Sequence, residues 1–81
     1  MPDELLTVDI HNDYTLKTID IRSGAIKTIR QVGGKIIRGP VLIGRDSVSI
    51  TVETPTGKIG KILKLPNLLI VKSFPAGDGS T

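Results

Sequence analysis

The most regular pattern in the chain runs from Ser47 to Thr54, where Val48, Ile50 and Val52 alternate with Ser49, Thr51 and Glu53. A period of two places apolar and polar residues on opposite sides of an extended chain, so this segment predicts a half-buried strand. Pro55-Thr56-Gly57 follows. Pro presets φ at the first turn position and Gly can close a three-residue loop in the left-handed region, which predicts a hairpin over 47–65 at the centre of the fold. If Thr54 faces Lys58 across that loop, Val52 falls opposite Gly60 and Ile50 opposite Ile62, giving one apolar face. The other face then carries Ile59, Leu63 and Leu65 opposite Glu53, Ser49 and Ser47, so the second strand is expected to be aliphatic on both sides.

Leu68 to Val71, after the Pro66-Asn67 turn signal, and Val41 to Ile43, between Gly39-Pro40 and Gly44, are also apolar on both faces. Leu6, Val8 and Ile10 alternate with polar residues up to the turn His11-Asn12-Asp13, and a further strand is expected from Tyr14 to Arg22. Leu16-Lys17-Thr18-Ile19 is echoed ten residues later by Ile26-Lys27-Thr28-Ile29, as suits two strands turning at Ser23-Gly24. Ala25, Ile26, Ile29 and Val32 also share a helical face between Ser23 as N-cap and Gly33 as terminator. The β-branched residues there favour a strand. The expectation is an all-β domain over residues 1–74, a small antiparallel sheet or barrel of five to six short strands; the alternative is α+β with one short helix near 24–32. Residues 75–81, Pro-Ala-Gly-Asp-Gly-Ser-Thr, predict a flexible tail.

Composition sharpens this picture. The 81 residues include 12 Ile, 8 Leu and 6 Val but one Tyr, one Phe and no Trp, so the core must be aliphatic. A single core in so short a chain rarely supplies more than ~3–5 kcal/mol without disulfides, metal or association. Cys is absent, which removes disulfides and thiolate chemistry. The start Met1-Pro2-Asp3-Glu4 is acidic and does not have the form of a secretory signal, and the longest aliphatic run is far below the ~20 residues of a membrane-spanning helix. No membrane partner is expected, and a place inside the cell or within a soluble assembly is.

Candidate chemistry is sparse. His11 and Asp13 offer two metal ligands where a site needs three or four. Gly39 to Gly44 has the glycine spacing of a phosphate loop, but Arg45-Asp46 follows where Lys and a hydroxyl are needed. Gly57-Lys58-Ile59-Gly60-Lys61 is equally weak as an anion cradle. No catalytic, cofactor or metal residue is assigned, and the chain is read as a non-enzyme.

Two functions remain. Doubly apolar strands need a second layer, a closed barrel or another subunit, so Ile59, Leu63, Leu65, Leu69 and Val71 are expected to mediate self-association of a structural or interaction module into a homo-oligomer or larger assembly. The competing reading uses the acid-free segment 22–45, with Arg22, Lys27, Arg30, Lys35, Arg38 and Arg45, to hold a nucleic-acid backbone or an acidic protein surface. Val48 to Ile62 resembles the strand, turn and glycine pattern of small Sm-like and SH3-like barrels, some of which bind RNA. The likeness covers a fifth of the chain and assigns no family. Base stacking has only Tyr14 and Phe74 to draw on.

Overall fold

Alternation turns into strand throughout the computed structural model, which describes residues 5–76. The strands are β1 (Leu6–Asn12), β2 (Thr15–Asp20), β3 (Ile26–Gln31), β4 (Lys35–Ile43), β5 (Ser47–Thr54), β6 (Gly57–Lys64) and β7 (Leu69–Pro75). They form two antiparallel sheets, A in the order β1-β2-β3 and B in the order β4-β5-β6-β7. The fold is all-β, as expected, but it has seven strands rather than five or six, and neither sheet closes into a barrel.

The helix alternative at 24–32 is not realised. Gly24, at φ +77°, opens a turn in which its N–H donates to the Asp20 carbonyl at 2.7 Å, and Ser23 Oγ accepts from the Ala25 N–H. Ser23 therefore caps a turn, and the β-branched residues beyond it pair with β2, Thr18 opposite Thr28 and Ile19 opposite Ile26. The ten-residue echo is a hairpin.

The register of the central hairpin differs by one residue from expectation. Its loop is Pro55-Thr56 alone, because Thr54 pairs with Gly57. The Thr54 hydroxyl fastens this tighter turn, accepting from the Thr56 N–H at 3.2 Å and donating to the Gly57 carbonyl at 2.8 Å. A slip of one residue exchanges the faces of a strand. Val52 now pairs with Ile59, Ile50 with Lys61 and Val48 with Leu63. Leu63 becomes fully buried, a gain of about 1.5–3 kcal/mol for a side chain of that size, whereas the expected register would have spent one core position on Gly60. The supposed second apolar face of β6 keeps only Ile62.

The core lies between the inner faces of the sheets. Leu16 of β2, Val32 of the β3–β4 connection, and Val48, Ile50, Val52, Leu63 and Leu68 are buried, with Val8, Ile36, Ile59, Leu65 and Ile70 packed partly against them. Leu68 is held at φ +56°, a left-handed conformation that strains a side chain of this kind. Its burial and one cation hold it there. Arg30, on the inner face of β3, donates from Nε to the Leu68 carbonyl at 3.1 Å and from Nη2 to the Asn67 carbonyl at 3.2 Å, tying sheet A to the β6–β7 turn of sheet B.

At the C-terminal end, Pro75 still pairs with Ile59, and the Ala76 N–H donates to the Lys58 carbonyl at 2.9 Å. β7 thus includes Pro75. The remainder of the expected tail, 77–81, and the acidic opening Met1 to Glu4 lie outside the described residues.

Candidate interaction surface

Directly opposed residues of an antiparallel sheet point to the same side, so the register of sheet B generates its outer face row by row. Lys35, Glu53 and Lys58 form one row; Arg38, Thr51, Gly60 and Phe74 the next; then Val41, Ser49, Ile62 and Lys72; then Ile43, Ser47, Lys64 and Leu69. Five cations stand here with one acid, Glu53.

Lys64 is partly neutralised, since its ammonium lies 3.0 Å from Asp46 Oδ2. That hydrogen bond, with the charge behind it, holds the exposed Asp46 carboxyl below its ordinary value. Lys35, Arg38, Lys58 and Lys72 are exposed and make no ion pair with another described residue.

The aromatic ring of this face owes its position to a glycine. Phe74 packs against Gly60, where any Cβ would run into the ring, so the absence of a side chain at 60 makes room for the ring. Gly60 is buried beneath it while Phe74 stays 38% exposed.

The six cations of segment 22–45 do not form one surface. Lys35 and Arg38 share the outer face of sheet B. Arg22 is in the β2–β3 turn and Arg45 in the β4–β5 turn, Lys27 is on β3, and Arg30 is committed to the carbonyls of Asn67 and Leu68. Proximity along the chain misled, because strand register rather than sequence distance decides which charges meet. Lys58, Lys64 and Lys72 were missed for the same reason, and Phe74 was noted as a stacking residue without its place beside them.

The residues expected to mediate association also divide. Leu63 is inside the core, and Ile59 and Leu65 pack partly against it, so the corrected register spends all three within the molecule. Leu69 and Val71 remain exposed on β7, an edge strand of sheet B, at 57% and 51%. The other edge, β4, ends in Val41, Leu42 and Ile43, all exposed. Leu42 is on the inner face, opposite Val48, yet it is 58% exposed.

Elsewhere the chemistry is thin. A wide depression of about 640 Å³ is lined by Asn12, Asp13, Tyr14, Thr15 and Gln31 at the β1–β2 turn. The Asn12 carboxamide oxygen there is already engaged by the Tyr14 N–H at 2.8 Å, and the Thr15 hydroxyl is fully buried without a partner. No group of three or more His, Cys, Asp or Glu among the described residues is placed to hold a metal ion. Among those residues no helix is long and apolar enough to cross a membrane. No family model, curated protein or solved structure matches the chain.

Proposed function

We propose that the protein is a non-enzymatic structural or interaction module that works as a homo-oligomer, its copies joining at the open edges of sheet B. One observation carries this reading: among the described residues seven large hydrophobic side chains are buried, while thirteen, including Val41, Leu42, Ile43, Leu69 and Val71, are exposed. Isolated exposed aliphatic residues are ordinary on a soluble protein, but groups of them on both edges of the same sheet are not. An edge strand also presents unpaired N–H and C=O groups, which addition of a neighbouring strand would satisfy. Because β4 and β7 lie on opposite edges, β7 of one copy meeting the 41–43 end of β4 in the next is a head-to-tail contact, which closes into a ring or continues as a filament.

Native mass spectrometry and sedimentation at micromolar concentration test this directly. The wild type is expected to assemble, Leu69→Lys with Val71→Lys to sediment as a folded monomer, and Lys58→Glu on the outer face to assemble normally. A wild-type protein that stays monomeric overturns the reading.

A further inference from the structure

We propose that the outer face of sheet B binds single-stranded nucleic acid, with Lys35, Arg38, Lys58 and Lys72 holding the phosphate backbone and Phe74 stacking a base. This goes beyond self-association and does not depend on it, because edge-to-edge joining leaves the sheet faces open.

Charge comes first. From Lys35 to Ala76 the chain holds seven cations and two acids, Asp46 and Glu53. Lys61 points inward with its ammonium against Gly33, and Lys64 is paired with Asp46. Arg45 is in the β4–β5 turn, and the four cations left on the outer face are exposed and make no ion pair among the described residues. They are placed where a polyanion could replace solvent around them without breaking an existing contact.

Their arrangement selects the kind of polyanion. Lys72 is two residues from Phe74 on β7 and on the same face, a separation of roughly 7 Å along the strand. Arg38 shares the Phe74 row from the far edge, about 14 Å away across three strand spacings. Between them lie Thr51 and Gly60, with Ser49 and Ile62 in the next row, so the middle of the face is low and carries both polar and apolar side chains. A ring that is 38% exposed beside the cations offers apolar surface against which a base can pack, which a single strand can turn outward and a duplex keeps stacked inside. Reading a duplex by its grooves would need a helix, ribbon or arm projecting from the sheet, and the flat rows of β4 to β7 offer none among the described residues. An acidic protein would find the charges but would have no use for the ring.

Fluorescence anisotropy with labelled oligo(dT), and with a duplex of equal length, over a salt series tests the proposal. Four phosphate contacts predict a log–log slope of affinity against salt near −2.8 for a single strand. Lys58→Ala with Lys72→Ala is expected to bring the slope up by about 1.4, and Lys17→Ala with Arg22→Ala on sheet A to leave it unchanged. Phe74→Leu, which keeps an apolar cover over Gly60, should weaken oligo(dT) binding about tenfold at constant slope. Circular dichroism is expected to be the same for all variants, and the alanine pair, both exposed, reports even if Phe74→Leu fails to fold. A slope near zero, or a slope indifferent to Lys58 and Lys72, overturns the proposal. Duplex binding as tight as oligo(dT), or binding that ignores Phe74→Leu in a folded variant, also overturns it, in favour of a general surface for polyanions or acidic proteins.

Discussion

Sheets A and B come from neighbouring stretches of similar alternation, yet they do different work. Sheet B contributes Val48, Ile50, Val52 and Leu63 from its strands and Leu68 from its last turn to the buried core, whereas sheet A contributes Leu16 alone. Sheet A also buries the hydroxyls of Thr15 and Thr18 without partners. Its Ile10, on the inner face opposite Leu16, is still 39% exposed. The difference shows that an apolar position on a strand becomes core only where another layer reaches it. Sheet B is the body of the fold, and sheet A is a partial cover held by Leu16, Val8 and the Arg30 link.

Truncation at matched inner-face positions tests this contrast most strongly. Leu63→Ala is expected to cost about 2–5 kcal/mol in chemical denaturation and to unfold both sheets together, while Ile10→Ala should cost less than about 1 kcal/mol. Equal losses would show that sheet A carries as much of the stability as sheet B.

The link comes next. Arg30→Ala removes two bonds from a guanidinium to backbone carbonyls and is expected to cost about 1–3 kcal/mol. Native-state hydrogen exchange should then show β1 and β3 opening before β5. Arg30→Lys should not restore protection, because an ammonium is a point charge and does not reproduce the planar fork that reaches both carbonyls. Uniform loss across all seven strands would mean that the sheets unfold as one unit.

A smaller effect, of opposite sign, is expected at Thr18. Its hydroxyl is buried without a partner on the inner face of β2, so Thr18→Val exchanges an unmet hydrogen bond for a methyl and should stabilise the fold by about 1 kcal/mol. Thermal melting reads this, and a lower midpoint would show that the hydroxyl is satisfied in solution.

The smallest change is expected in sheet B itself. Lys64 lowers the Asp46 carboxyl pKa, so the contribution of this pair is present above the ordinary Asp value of 3.8 and is lost as pH falls through the lower folded value. In Lys64→Gln, an NMR titration should find Asp46 back near its ordinary value, with little change in stability because both groups are solvated. An unmoved Asp46 would assign the shift to Ser47 and the local backbone instead.

Local chemistry determined much of this protein. Alternation at Val48, Ile50 and Val52, the turn at Ser23-Gly24, and the lack of Trp and Cys were enough for an all-β chain with an aliphatic core and the hairpin of β5 and β6 at its centre. These properties depend on side-chain period and backbone preference, which act over a few residues. The candidate surfaces were legible only in part. Lys35, Arg38, Leu69 and Val71 stand exposed, but Leu63 went to the core, Arg30 to two carbonyls, and Lys58, Lys72 and Phe74 to a face that no run of sequence displays. One residue of register in the β5–β6 turn, closed by the Thr54 hydroxyl, separates the buried Leu63 from the outward position expected of it. Register is settled by the burial gained across strands and between sheets, so which cations meet, and which aliphatic residues stay in water, was decided only by the tertiary structure.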